Sequence, residues 1–337
     1  MSLYRAPLRI SFFGGGTDLP EYYTQFGMGR VLSATIDRYA YARVMPATLP
    51  YRPSIFSANR NETALADDDY LMRVLNRAVN APLRAFVSVD APERSGLGGS
   101  SAAAVALIAS YYHSFGILDA PELNRSTIAE AAYRGEVENN NARIGKQDQY
   151  AAAFGGMNLF EFLAEGNIID PLRAQIPKQN LWLFERALLL VRMPVRNRPA
   201  GRILTRLTSE LGSHDRTAIE NLTWSVEAAA NGALMLMAGR FRDFGLLLDE
   251  AWTRKQELGY SSYDAARVIN IAKSAGAIAG KECGTGGHVL IMVDPNRGDH
   301  ALESVVRSLE NAALHAEPVR FDHDGLRKMF AVSPEAR

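Results

Sequence analysis

Hydrophobic and polar positions alternate in part over residues 8–13 (LRISFF), the period-two pattern of a half-buried strand. The runs at 31–36 (VLSATI) and 39–45 (YAYARVM) predict two further strands, with a turn at Asp37-Arg38 between them. Residues 85–90 (AFVSVD) predict another. A glycine-rich loop from Asp90 to Gly99 leads into an Ala-rich, helix-prone stretch, 100–114, that opens on two serines. Residues 126–138 read as a second helix, and 153–162 (AFGGMNLFEF) as a strand region hinged on glycines. Irregular sequence then runs to about residue 180, which predicts one domain over 1–180 and a second over 181–337.

The second half is richer in helical periodicity. Ile219, Leu222, Val226, Ala230, Ala233 and Met237 follow amphipathic spacing, and 241–258 and 264–275 repeat the style. Short apolar runs at 187–191 (ALLLV), 289–293 (VLIMV) and 319–321 (VRF) predict strands, with a helix at 300–314 between the last two. Strands interleaved with helices in this order predict an α+β sandwich.

Composition narrows the function classes. The 337 residues carry 37 Lys+Arg and 37 Asp+Glu, a formal net charge of zero. That balance argues against a broad basic face for nucleic acid and against a polybasic membrane anchor. A single cysteine, Cys283, allows no disulfide within the chain and no cysteine metal cage. With no apolar run of signal-peptide or membrane-spanning length, this predicts a cytoplasmic protein. The histidines show no HxxxH or HExxH spacing, which argues against a transition-metal site.

The 27 glycines are close to the usual ~7% share, so their placement carries the information. Gly14, Gly15 and Gly16 directly follow a strand and precede Thr17-Asp18. Such a run lets backbone approach a ligand, and an acidic residue beyond it accepts from hydroxyls. The second cluster, Pro92 to Ala102 (PERSGLGGSSA), lies between a strand and a helix. Backbone N–H groups at a helix start bind phosphate, and hydroxyls reach a metal held by that phosphate. The loop is not a Walker A motif, since no Gly-Lys-Ser/Thr follows, and it fits a dinucleotide fingerprint poorly. A plain helix cap would explain Ser100 or Ser101 but not three glycines with a proline. The third cluster, Gly280 to Gly287, precedes the strand VLIMV. Asp148, in IGKQDQY, is a carboxylate able to orient a bound hydroxyl or take its proton.

Taken together these blocks resemble the GHMP small-molecule kinases (galacto-, homoserine, mevalonate and phosphomevalonate kinases), in order along nearly the whole chain. PLRISFFGGGTDLPEYY at 7–23 is similar to the family's first motif, PERSGLGGSSA to its phosphate loop, and GKECGTGGHVLIMV at 280–293 to its third, glycine-rich motif. LRISFFGGGTDLP, SGLGGSSA, IGKQDQYAAAFGGMNLF and AWTRK are most similar to the branch acting on D-glycero-D-manno-heptose 7-phosphate, with fucokinase-like enzymes the nearest competitor. The resemblance implies a two-domain α+β fold, ribosomal-protein-S5-domain-2-like at the N-terminus and ferredoxin-like at the C-terminus. It implies ATP-dependent phosphoryl transfer to the anomeric hydroxyl of a sugar phosphate. With the charge balance above, no nucleic-acid or membrane partner is expected, and a homodimer is left open.

The same resemblance assigns roles. Asp148 and Arg9 would be catalytic, Asp148 handling the acceptor hydroxyl and Arg9 offsetting phosphoryl charge. Asp18, with Gly15, Gly16 and Thr17, would hold the sugar, and Arg198, near Arg196 and Arg202, its phosphate. Gly96, Leu97, Gly98, Gly99, Ser100, Ser101 and Ala102 would bind ATP, and Ser100 with Glu136 would hold Mg²⁺, Glu138 being the alternative to Glu136. Two departures stand out. His288 replaces a glycine of the third motif, and Pro194-Val195 replace a Thr-Gly pair ahead of Arg198. Rival readings are a catalytically silent sugar and ATP sensor on this fold, against which Asp148, Arg9 and Ser100 speak, and a mevalonate-branch decarboxylase, against which the GGGTD and KQDQY blocks speak.

Overall fold

The computed structural model describes residues 2–47, 54–58, 63–64, 70–71, 74, 83–140, 143–172, 175–193, 200–284 and 286–331. The chain begins with β1 (Ser2–Phe13), α1 (Pro20–Phe26), β2 (Gly29–Pro46), β3 (Ser54–Ser57), β4 (Thr63–Ala64) and β5 (Leu83–Val89). Helices α2 (Gly99–Ser114), α3 (Arg125–Asn140) and α4 (Gln147–Phe154) follow, then β6 (Met157–Leu163) and β7 (Gly166–Pro171). The second half runs α5 (Lys178–Arg186), β8 (Leu188–Arg192), α6 (Ala200–Gly212), α7 (Arg216–Met237), α8 (Phe241–Glu257), α9 (Tyr263–Ser274), β9 (Ala279–Glu282), β10 (His288–Met292), α10 (Asp299–Asn311), β11 (Ala316–Pro318) and β12 (Arg327–Ala331).

The strands form two sheets. One is eight-stranded, ordered β12-β1-β2-β5-β3-β4, with β6 on β2 and β7 on β6. The other is four-stranded and antiparallel, ordered β11-β8-β10-β9. Helix α2 is buried at every position from Ser101 to Tyr111, which explains its Ala-rich sequence: small side chains let it press against β1 and β2. The largest core cluster draws on both halves of the chain. Phe12 of β1 meets Phe184 of α5 at 5.4 Å and Phe244 of α8 at 5.6 Å between ring centroids.

The turn expected at Asp37-Arg38 does not form, and β2 is one strand of 18 residues. Its two ends have different partners on the side away from β1. Residues 29–34 pair with β6 and 40–46 with β5, and the β1 register shifts between Pro7 and Leu8. Asp37-Arg38 is therefore the place where the strand changes partner, a bulge and not a reversal. The strand expected at 319–321 is also displaced, to 316–318. Pro318 lacks an N–H, and beyond it the chain crosses toward the first sheet. There Arg320 O accepts from Asp37 N at 2.9 Å, and Phe321 makes an isolated bridge to Ile36. The glycine hinge at 153–162 resolves into the end of α4, a turn through Gly155 and Gly156, and β6. Helix α5 runs through residue 180, and β12 pairs with β1 in the first sheet.

Candidate active site

The loop after β5 ends in a left-handed residue, Gly98 (φ 75), which caps α2. Ala102 N already donates to Gly98 O at 2.9 Å, so the open helix end presents the N–H groups of Gly99, Ser100 and Ser101. A 16-residue helix adds its dipole to these donors and makes an anion site. Leu97 is the buried anchor of the loop, and its carbonyl accepts from Arg9 N at 2.9 Å. The loop is thereby fixed to β1 at Arg9.

Arg9 is 7% exposed, and three of its five guanidinium N–H groups are engaged, by Asp148 of α4 and by the loop before α2. Nε donates to Asp148 Oδ1 at 2.7 Å and Nη2 to Oδ2 at 2.6 Å, a bidentate pair. Nη1 donates to the Gly96 carbonyl at 2.7 Å. The sequence suggests separate duties for Arg9 and Asp148. The fold makes them each other's counterion at the mouth of the phosphate loop, with Asp148 in the first turn of α4.

Asp18 is 2% exposed. Its carboxylate accepts from Gly16 N at 3.0 Å, Gln147 N at 3.0 Å and Gln147 Nε2 at 3.1 Å. Burial pushes its pKa up to about 6; the charge of Asp148 adds to the rise, and the backbone donors partly offset it. Its oxygens thus hold Gln147 at the start of α4. Thr17 is fully buried; its hydroxyl accepts from Arg30 N at 2.9 Å and lies 2.8 Å from Gly14 O, so it fastens the turn. Gly16 is buried against Leu207, and Gly15 is exposed beside Gln147.

Glu136 of α3 is fully buried. Ser101 Oγ donates to its Oε1 at 3.0 Å, and the Gln149 amide donates to Oε2. Burial pushes its pKa up to about 8; the Gln149 hydrogen bond lowers it and the charge of Asp148 raises it. The structure brings Ser101 to Glu136, whereas Ser100 is exposed on the first turn of α2; Glu138 is exposed as well. Among the described residues no group of three or more His, Cys, Asp or Glu is arranged to hold a metal. The oxygen donors present suit a hard ion such as Mg²⁺, which is normally held by one or two carboxylates, phosphates and water.

The third glycine cluster closes over the loop. A Cβ on Gly96 would lie 2.2 Å from Cys283 O and 2.4 Å from Gly286 O, so the two loops touch main chain to main chain. Lys281 Nζ donates to the carbonyls of Ser11 (3.2 Å) and Phe12 in β1. Burial, with Lys255 and Arg9 nearby, pushes its pKa down to about 7. Lys255 Nζ donates to Gly284 O at 2.9 Å and lies 3.3 Å from Glu282 Oε2. Sequence reasoning passes over Lys281, Gln147 and Gln149, although all three sit inside the recognised blocks; a polar side chain within such a block is the signal for them. Pro194, Val195, Arg196 and Arg198 lie outside the described residues, as does the side chain of Arg202.

A glycine-lined helix start, a bidentate Arg–Asp pair and a second glycine loop packed on the first make up the candidate site. The model of the GHMP kinases N terminal domain matches residues 69–156, and that of the GHMP kinases C terminal domain matches 226–311. The two matches span just over half of the chain, which belongs to the GHMP kinase family and is a sugar kinase. The chain is 27% identical over 350 residues to the D-glycero-alpha-D-manno-heptose 7-phosphate kinase of Campylobacter jejuni, covering 96% of this chain and 97% of that one. A D-glycero-D-manno-heptose 1-phosphate kinase from Bacteriodes thetaiotaomicron superposes with a TM-score of 0.76 at 28% identity, over 99% and 100% of the two chains. Galactokinase from Lactococcus lactis, complexed with galactose, shares the fold at a TM-score of 0.71 and 15% identity, over 97% and 95%. Enzymes of the family use ATP, typically with Mg²⁺. Among the described residues no helix is long and apolar enough to cross a membrane.

Proposed function

We propose that this kinase transfers the γ-phosphoryl group of ATP to the anomeric hydroxyl of D-glycero-D-manno-heptose 7-phosphate, giving the 1,7-bisphosphate, with ADP leaving and the hydroxyl proton released. The observation that carries the reading is the Arg9–Asp148 pair, seated on Gly96 O at the end of the phosphate loop. Phosphoryl transfer asks mainly for positioning and charge neutralisation. The N–H groups of Gly99, Ser100 and Ser101 take the ATP phosphates. Each Asp148 oxygen gives one lone pair to Arg9 and keeps another for the acceptor hydroxyl. The carboxylate therefore orients that hydroxyl while Arg9 lies ready for charge on the moving phosphoryl group. Asp18 and Gln147 shape the sugar end, with Gly15 leaving room beside them.

Glu136 and Ser101 are the side chains that would hold Mg²⁺, which supplies charge neutralisation on the phosphates. The ion and a proton compete for the same buried carboxylate. With its pKa pushed up to about 8 by burial, Glu136 would have to give up a proton to hold the metal at lower pH. Apparent Mg²⁺ affinity in the presence of ATP is expected to rise between pH 6 and 8, by up to about tenfold per unit. Titration calorimetry in buffers of different ionisation enthalpy would show the released proton, and Glu136→Gln would remove it. A proton count of zero in the unaltered protein would sink the assignment.

The functional test is a transfer assay over heptose 7-phosphate, heptose 1-phosphate, mannose, fucose and galactose, with ³¹P NMR of each product. A new anomeric phosphate on the 7-phosphate substrate is expected. Transfer to another hydroxyl, or preference for a sugar without a phosphate, overturns the substrate reading.

A further inference from the structure

His288, the residue that stands where the resembling motif has glycine, is the first residue of β10 and is 8% exposed. Its backbone is held on both sides: its carbonyl accepts from Cys283 N at 2.9 Å, and it lies opposite Arg192 of β8. The ring leaves the second sheet and reaches the phosphate loop, where Nδ1 lies 2.9 Å from Ser95 O. A carbonyl only accepts, so Nδ1 carries the hydrogen. Burial pushes the imidazole pKa down, consistent with a neutral ring in this tautomer.

The backbone around Ser95 is turned sharply. Arg94 has φ 60 and Gly96 has φ 76, both left-handed, and Ser95 between them is buried. A left-handed Arg is costly and persists only where its surroundings impose it. The main chain of Arg94 and Ser95 packs on Gly287, whose added Cβ would meet Ser95 C and Cα at 2.8 Å and Arg94 O at 2.4 Å. Main chain packed this closely leaves little space for water to replace a lost donor. One residue on, the Gly96 carbonyl receives Arg9 Nη1.

We propose that His288 is a positioning residue for the nucleotide: its Nδ1–H clasps the Ser95 carbonyl and holds the Arg94–Gly96 corner of the phosphate loop in the shape that receives ATP. The proposal rests on the ATP-binding reading above. It assigns to the second domain a direct part in preorganising a site that the first domain supplies. Without the donor, the buried carbonyl is left unsatisfied and the corner relaxes, so ATP must reorder it on binding.

The test compares H288A, H288N and H288Q with the unaltered chain. An asparagine amide nitrogen lies near the place of Nδ1 and a glutamine one near Nε2, so the pair separates the hydrogen bond from ring packing. Titration calorimetry with ATP should give a dissociation constant raised about tenfold in H288A and H288Q and largely restored in H288N. Heptose 7-phosphate affinity should stay within about twofold. Hydrogen exchange at the amides of residues 94–98 should quicken in H288A and H288Q alone. Equal ATP affinity in all four proteins overturns the clasp, as does equal weakening in H288N and H288Q. If H288A loses its cooperative melt, the H288N and H288Q comparison decides by itself. If the unaltered chain binds no ATP, the kinase reading fails together with this one. Unchanged loop exchange in H288Q overturns the clasp alone.

Discussion

Asp148→Asn should lower kcat by about 10²–10⁴-fold. Asparagine has nearly the same shape, so the loss comes from charge and hydrogen-bond polarity. Arg9 presents two donors to Asp148, at 2.7 and 2.6 Å. An amide offers one acceptor and sets its NH₂ group against the other guanidinium N–H. The fork then loses half its seat, and the acceptor hydroxyl loses the carboxylate that orients it. Stability should fall too, because breaking a buried pair costs about 3–5 kcal/mol. The cost here is smaller, since the Asp148 side chain is 23% exposed and water can take up part of the lost interaction. Steady-state kinetics with a parallel thermal melt separate the two effects. Arg9→Lys keeps the charge but not the fork, and the double variant should lose much less than the two single losses combined, because the residues act as one unit. Turnover within threefold of the unaltered enzyme would remove Asp148 from the mechanism.

Legibility in the sequence followed the range of the interaction. Helix α2 and the loop before it were readable, because a glycine run between a strand and an Ala-rich stretch is a local pattern. Arg9 and Asp148 were each legible as candidates, but their pairing was not, since 139 residues separate them and only the fold closes that distance. Which of Ser100 and Ser101 lies beside Glu136 turns on a single residue, and on a helix one residue is about 100° of rotation. That turns an exposed hydroxyl into a buried one touching Glu136. Asp18 reads as a ligand because it is an acidic residue beyond a glycine run, and Thr17 through the family resemblance. The structure also bonds their side-chain oxygens to the chain's own N–H groups, long-range or turn contacts that the sequence does not mark. The unbroken course of β2 escaped because polar Asp37-Arg38 resembles a turn, and the partner switch that makes it a bulge is a tertiary fact.

Gly96→Ala should be a strongly damaging single-methyl change in the site. Two costs combine there. The residue has φ 76, where an L side chain costs roughly 1–2 kcal/mol. Its Cβ would also lie 2.2 Å from Cys283 O and 2.4 Å from Gly286 O. Both obstacles are main chain, so no rotamer change relieves them, and the loops must part by about 1 Å. Displacement of that size in a catalytic array costs on the order of 10²-fold. Here it acts directly, because the Gly96 carbonyl holds Arg9 at 2.7 Å. We expect kcat/KM to fall by about 10²-fold or more, with the ATP dissociation constant rising in step. Gly116→Ala is the control: its φ of 65 is similar, but nothing lies within 4 Å of the added carbon. That variant should lose stability through conformation alone and keep its kinetic constants. A Gly96→Ala enzyme whose loss resembled that of Gly116→Ala, a lowered melting temperature with unchanged kcat/KM, would show that contact between the two glycine loops does not set the active geometry.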